Sequence, residues 1–337
     1  LTEPVTALLR DEIQEHAVRK GQNPAKFIGS VERPQRITVV VLTFIPFLSG
    51  FYSGTLDVLK ACLHSIWANT DLPYDLMVFD NGSGSETIEY LLSQQHEGRI
   101  QYLVLSGRNL GKGGAWNVIF GAAPGEIIAF TDSDALFSAG WLSKSVEILE
   151  TFPNVGMVTS RPFRTPDEYF SSTIEWASRE RRVKLEKGSF IPWEVFRDFD
   201  LSLGQVEADI RKRYEETQDY RLTYRGVSAQ AGASHWQFVG YKERLLQFVP
   251  FDMDRPMGQV RRLDQRVNEA GYLRLMTTEP LSMNMSNRVE EAQAIASKRL
   301  PRRRAGLWRS VLNQPLVKRL LLLIHDRIFR WYFESQA

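Results

Sequence analysis

Near the start of the chain, Ile37-Thr38-Val39-Val40-Val41-Leu42-Thr43 runs through mostly apolar, β-branched positions without alternating with polar ones. A short run of this kind suits a strand covered on both faces. Similar runs recur at residues 75–79, 100–105 and 126–131, and the stretches between them, 55–68, 85–95 and 112–121, read as helices. Alternating strand and helix imply right-handed crossovers, hence an α/β, Rossmann-type, mainly parallel sheet flanked by helices. Ligands of such sheets bind beyond the carboxyl ends of the strands, so the residues just after each run carry the chemistry. They are Thr43-Phe44, Asp80-Asn81-Gly82-Ser83, Arg108 to Gly114 and Asp132-Ser133-Asp134. These four segments are expected to converge on one edge.

The flanks read differently. Residues 1–36 are polar and broken by Pro24, Gly29 and Pro34, and form an N-terminal extension. Residues 161–233 carry charged, helix-like stretches at 175–187 and 205–218, with Arg179, Arg181 and Arg182 clustered. A solvated helix face is the plain reading of that cluster, and a substrate-binding insertion or a homodimer surface the functional one. Over residues 257–270, Val260, Leu263 and Val267 recur at helical spacing and Gly271 marks the stop, which predicts an amphipathic helix. Asp264 stands beside that buried stripe, where a partly desolvated carboxylate suits a base, while a salt bridge to Arg261 or a surface carboxylate is the plainer reading.

Composition narrows the class. With 43% hydrophobic and 24% charged residues among 337, the chain is an ordinary globular protein, neither low-complexity nor disordered. Its single cysteine, Cys62, excludes an intrachain disulfide and a zinc site built on paired cysteines, and fits a reducing cytosol. No run approaches the roughly 18 apolar residues of a spanning helix, and the N-terminus lacks the pattern of a secretory signal. The expected location is therefore cytoplasmic. Residues 298–330 hold ten Lys or Arg against Asp326, a net +9 where the whole chain has +2, so the remainder carries −7. In that tail Leu316, Leu320, Ile324, Ile328, Trp331 and Tyr332 follow helical spacing. A basic amphipathic helix of this kind lies on an anionic membrane surface or packs on protein, and its apolar face argues against nucleic acid.

Asp132 and Asp134 put two carboxylates at one strand end, where they repel unless a cation or hydrogen-bond donors compensate. A hard divalent ion, Mg or Mn, shared with substrate phosphates is one answer, and a helix-capping turn is the other. Asp80 is open to two readings as well, a β-to-α turn or an acceptor for a nucleoside N–H or hydroxyl. Gly111, Gly113 and Gly114 allow a close backbone approach and Lys112 could reach a phosphate, although the segment is neither a dinucleotide fingerprint nor a P-loop.

Together these pieces resemble the family 2 glycosyltransferases of GT-A fold, over about residues 37–285. Val39 to Thr43 is similar to the family's first strand, and Phe79-Asp80-Asn81-Gly82-Ser83 to its second-strand acidic motif. Asn109-Leu110-Gly111-Lys112-Gly113-Gly114-Ala115-Trp116-Asn117 resembles its N-x-G-x-x-x-A-x-N segment, and Asp132-Ser133-Asp134 its D-x-D. The resemblance implies a nucleotide diphosphate sugar, UDP-linked by preference, bound by Thr43, Phe44, Asp80, Asn109, Gly111, Lys112, Asn117, Asp132 and Ser133. It implies a Mn or Mg ion on Asp134 with Asp132, and an inverting transfer with Asp264 as general base. Two positions depart from the pattern: Leu263 replaces the first acid of the usual pair, and Asn284 stands where many relatives carry a His that completes the metal site. His235, Trp236 and Arg261 are the acceptor-side candidates, Trp236 either stacking on a sugar or simply packed.

The resulting expectation is a catalytic domain over residues 37–290, with a nucleotide-sugar half at 37–135 and an acceptor half at 136–290 holding a helical insertion at about 161–233. A basic helical tail at 291–337 follows. The acceptor is a glycan or a lipid-linked one, in cell-surface glycan or glycolipid synthesis at the cytoplasmic face of a membrane. A non-catalytic sugar-nucleotide or glycan-binding module is the rival reading. A sugar-1-phosphate nucleotidyltransferase ranks lower, because Phe44-Ile45-Pro46-Phe47-Leu48 lacks the glycines and basic residues that its first loop needs.

Overall fold

The computed structural model of the chain describes residues 22–253, 260–287 and 289. Strands β1 (Ile37–Thr43), β2 (Asp75–Asp80), β3 (Tyr102–Leu105) and β4 (Ile127–Asp132) alternate with helices α1 (Thr55–Asn69), α2 (Ser85–His96) and α3 (Gly111–Ala122). They pair in parallel in the order β3-β2-β1-β4. The register sets Thr43 beside Asp80 and Leu42 beside Asp132, so the carboxyl ends meet at one edge. Beyond β4 come β5 (Ala135–Phe137), α4 (Trp141–Thr151) and β6 (Val155–Thr159).

The unbroken apolar runs have a simple cause. Val39 and Val41 of β1 belong to one hydrophobic core, with α1 and α4, while Val40 and Leu42 belong to the other, with α3. Ile127 and Ala129 of β4 divide from Ile128 and Phe130 in the same way. Helices thus cover both faces of the sheet, so the strand positions there are mostly apolar.

The insertion departs from expectation. It contributes α5 (Ser171–Arg179), β7 (Val183–Gly188), α6 (Trp193–Ser202), α7 (Glu207–Glu216), β8 (Asp219–Tyr224) and β9 (Val227–Ala231). Residues 175–187 are therefore not one helix: the chain leaves α5 at Arg179 and returns as a strand paired with β8. Val183, Leu185 and the aromatic Tyr220 and Tyr224 alternate toward the core, a period of two that the surrounding charges disguise. The insertion extends the sheet, through the antiparallel set β7-β8-β9, to β11 (Leu273–Met276).

Between β4 and β6 lies β10 (Gln237–Tyr241), antiparallel to both, so it starts at the edge where β4 ends. After the short helix α8 (Lys242–Leu245), helix α9 (Val260–Glu269) packs Leu263 and Val267 on the sheet. Finally β12 (Ser282–Asn284) pairs with β5 in a two-stranded ribbon immediately after the Asp132-Ser133-Asp134 turn. Residues 22–36 run largely exposed ahead of β1, around a 3-10 turn at Pro24–Phe27. No helix among the described residues is long and apolar enough to cross a membrane. The tail with its predicted amphipathic helix, 298–332, lies outside the described residues.

Candidate active site

Asp80, fully buried at the end of β2, caps the turn that follows: its Oδ2 accepts from the N–H groups of Gly82 (3.2 Å) and Ser83 (3.0 Å). Its other oxygen, Oδ1, is buried without a partner, and so is Thr43 Oγ1 on the neighbouring strand. A buried carboxylate oxygen and a buried hydroxyl left unpaired side by side in register form a polar slot. The turn reading of Asp80 and the ligand reading are thus both satisfied, one by each oxygen.

The first loop is fastened to this turn. Ser83 Oγ accepts from Ile45 N–H at 2.8 Å, and Gly84 N–H donates to the Ile45 carbonyl at 2.9 Å. Phe44 and Phe51 meet Tyr52 edge-on, at 6.2 and 5.1 Å, so residues 44–54 form an aromatic wall beside the slot. The Asn109 segment is held from the same turn. Asn81 Nδ2 donates to Asn109 Oδ1 (3.0 Å) and Asn81 Oδ1 accepts from Leu110 N–H (2.9 Å), while Asn109 Oδ1 also accepts from Gly111 N–H (2.8 Å). Gly111, at φ +68°, turns the chain into α3 in a conformation that favours glycine.

Asn117, from the expected donor set, and Gly114, from the glycine cluster, both make close contacts within the fold. Asn117 Nδ2 donates to the Phe251 carbonyl (2.9 Å) and its Oδ1 accepts from Phe251 N–H (2.6 Å), so its amide is fully spent on backbone. At Gly114 the close approach is to protein: a Cβ would lie 2.9 Å from Leu110 Cβ and 3.1 Å from Met253 Cε.

The two carboxylates of the D-x-D turn have different surroundings. Lys112 Nζ, over the rings of Trp116 and Phe130, donates to Asp132 Oδ2 at 2.6 Å. Asp134 Oδ1 is buried without a partner. Burial, and then the neighbouring Asp132 charge, push the Asp134 carboxyl up to about 6, partly offset by the Asn284 hydrogen bond and by Lys112. Such a carboxylate is short of positive charge, which a divalent ion supplies. Its ligand set is sparse, since the described residues hold no cluster of three or more His, Cys, Asp or Glu. Asn284 is at hand but turned the other way: its Nδ2 donates to Asp134 Oδ2 (3.0 Å) and its Oδ1 accepts from Ser286 N–H (2.9 Å). In this arrangement its amide bridges Asp134 and the Ser286 backbone. Ser133, between the two aspartates, is half-buried.

Asp264, on α9, has a side chain that is 8% exposed. Its Oδ1 pairs with Arg274 at 2.5 Å and its Oδ2 with His235 Nδ1 at 2.5 Å. Arg261 is exposed and takes no part, so the sequence expectation of an Arg261 partner is corrected. Arg274 is 1% exposed in β11 and also donates to the carbonyls of Tyr169 and Ala233, each at 2.5 Å, while burial lowers its pKa. Sequence reasoning missed Arg274, although a charged residue inside the apolar run Leu273-Arg274-Leu275-Met276 signals a buried partner. Trp236 is 8% exposed and tilted against Phe199 at 5.9 Å, so it packs in the core and offers no open face to a sugar. Its carbonyl accepts from Asp132 N–H at 2.9 Å, which brings His235, the residue before it, next to the D-x-D turn. Arg161, just after β6, was also overlooked; it donates to the carbonyls of Ser282 (3.0 Å) and Val195 (2.8 Å), and burial lowers its pKa to about 10.

Comparison with known proteins places this edge in context. Residues 50–223 match the family model described as glycosyl transferase family 2. An uncharacterized glycosyltransferase from Nostoc sp. is 29% identical over 100 residues, which span 30% of this chain and 31% of that relative. Among solved structures, the mannosyltransferase PcManGT from Pyrobaculum calidifontis, in complex with GDP-Man and Mn2+, aligns with TM-score 0.42 and 21% identity over 74% of this chain and 55% of that one. TarS 1-349 from S. aureus aligns with TM-score 0.43 and 14% identity, over 78% of this chain and 65% of that one. Asp80, Asn109, Asp132 and Asp134 lie within the family match, whereas Thr43, His235, Asp264, Arg274 and Asn284 lie outside it.

Proposed function

Because this chain belongs to glycosyl transferase family 2, we propose that its edge transfers a sugar from a nucleotide diphosphate sugar to an acceptor hydroxyl with inversion. The observation that carries the reading is the pair of unsatisfied buried oxygens, Thr43 Oγ1 and Asp80 Oδ1, one strand away from the unsatisfied Asp134 Oδ1. A nucleobase offers the N–H and carbonyl groups that a carboxylate and a hydroxyl take up. The aromatic wall at Phe44 closes the slot on the nucleoside side. Asp134, with Asp132, would hold a Mn or Mg ion, which would offset the charge growing on the departing diphosphate. Lys112, already at Asp132, adds a fixed positive charge on the same side, and the α3 N-terminus at Gly111 faces that edge.

The acceptor approaches from the opposite side, where His235 and Asp264 stand. In a single displacement its oxygen attacks the anomeric carbon, the bond to the diphosphate breaks, and the proton leaves through this pair. In this reading residues 37–290 form the catalytic unit, and the basic tail carries it to an anionic membrane where a glycan or lipid-linked acceptor is presented.

Release of nucleoside diphosphate tests the reading, screened over UDP-, GDP- and dTDP-sugars with Mn or Mg. Metal-dependent release that collapses in Asp134→Ala supports it. Donor binding by calorimetry with no release from any donor favours the non-catalytic module instead.

A further inference from the structure

We infer that the proton of the acceptor hydroxyl goes to His235 Nε2, and that Asp264 is the positioning residue behind it. This rests on the transferase reading above and reassigns its base. Both oxygens of Asp264 are engaged, one by Arg274 and one by His235 Nδ1, each at 2.5 Å, and its side chain is 8% exposed. An incoming hydroxyl would have to compete with these partners for a carboxylate nearly closed to solvent. A proton placed on Asp264 would also leave the Arg274 guanidinium, 1% exposed, without its counter-charge.

His235 has the complementary features. Its side chain is 24% exposed, and it sits one residue before Trp236, whose carbonyl is bonded to Asp132 N–H at the D-x-D turn. Against a carboxylate, Nδ1 must carry the hydrogen of the neutral ring, which leaves the lone pair on Nε2. Among the described residues Nε2 makes no hydrogen bond. The charged groups at the imidazole are Asp264 from α9 and, behind it, Arg274 from β11. The array Arg274, Asp264, His235 repeats the logic of a base oriented by a buried carboxylate.

The step balances. The acceptor oxygen bonds to the anomeric carbon as the bond from that carbon to the diphosphate breaks, and the electron pair leaves with the nucleoside diphosphate. The acceptor proton passes to His235 Nε2, and the imidazolium, stabilised by Asp264, releases it to solvent at the open edge.

The test compares wild type with His235→Asn, His235→Ala and Asp264→Asn, using the donor that wild type turns over and n-octyl glycosides or water as acceptor. In His235→Asn the amide nitrogen replaces Nδ1–H toward Asp264 and only the proton acceptor is lost. The expected result is a fall in kcat of about 10²-fold or more with donor KM within about threefold. The acidic limb of the wild-type pH profile should vanish, and added imidazole should restore part of the His235→Ala rate. Asp264→Asn should also lose activity, because an amide facing Nδ1 favours the wrong tautomer, but its residual activity should keep the limb. If His235→Asn retains kcat within about threefold, or Asp264→Asn alone abolishes the limb, Asp264 is the base and the inference fails. If histidine 15N spectra place the hydrogen of neutral His235 on Nε2, it fails as well. Should wild type release nothing from any donor, the transferase reading itself falls, a result separate from turnover that survives loss of His235.

Discussion

Replacing Arg274 with Met tests whether the surroundings of Asp264 are organised by one buried ion pair. Arg274 donates to Asp264 Oδ1 and to the carbonyls of Tyr169 and Ala233, all at 2.5 Å. Methionine fills much of the stem volume and supplies none of these donors. The loss leaves a buried carboxylate without its charge partner and two buried carbonyls one donor short. Breaking a buried pair from one side costs about 3–5 kcal/mol. His235 still serves the second oxygen of Asp264, so the lower half of that range, about 3 kcal/mol, is expected. Asp264→Asn strands the guanidinium instead and should cost a similar amount, softened by the two carbonyls that remain. Because both variants break the same contact, the double variant should be less destabilised than the sum of the singles, by roughly 2 kcal/mol. Urea unfolding followed by tryptophan fluorescence reads this directly. With a urea slope of about 3 kcal/mol per M, the midpoint of Arg274→Met should fall by roughly 1 M. A shift under about 0.3 M, or strict additivity in the double variant, would show that Arg274 and Asp264 are independently solvated and do not act as one buried pair.

Three other outcomes are expected. Asp134, raised from 3.8 to about 6, binds a proton more tightly in the folded chain than in the unfolded one, so metal-free stability should decline as pH rises from about 4 to about 6 and level off above. Mn2+ competes with that proton, and its affinity, measured by calorimetry, should weaken about tenfold per pH unit below pH 6; affinity independent of pH between about 5 and 7 contradicts the site. Thr43→Val removes an unpaired buried hydroxyl, so thermal unfolding should show unchanged or slightly higher stability, by up to about 1 kcal/mol, while donor affinity drops about 5- to 10-fold; equal donor affinity would remove Thr43 from the slot. In Gly156→Ala the new Cβ lies 2.6 Å from Val267 Cγ1 and 2.9 Å from Tyr272 Cβ, which pushes α9 off the sheet. Stability should fall by about 1–3 kcal/mol and kcat more than KM, because Asp264 rides on α9; kinetics identical to wild type would mean that α9 does not position the site.

Local patterns determined much of this protein. The runs at β1 to β4 and the helices between them were legible because burial on both faces demands continuous apolar residues. Once the strands are parallel, Thr43, Asp80 and Asp132 must end at one edge. The amphipathic stripe of α9 was equally plain in Val260, Leu263 and Val267. Tertiary structure alone decided the partners of the polar groups. Asp264 meets His235 and Arg274, 29 and 10 residues away, only because β10 enters antiparallel between β4 and β6 and β11 lies on the far side of β6. Asn117, which reads in sequence as a ligand contact, is consumed by the backbone of Phe251, 134 residues on. The Asn284 amide is turned by the N–H of Ser286, and Trp236 is claimed by Phe199 of the insertion. Hydrophobic periodicity reports which face of an element is buried, a property that neighbouring residues share along the chain. A buried hydrogen bond or ion pair depends instead on which distant backbone arrives opposite it, and strand order, not residue spacing, sets that.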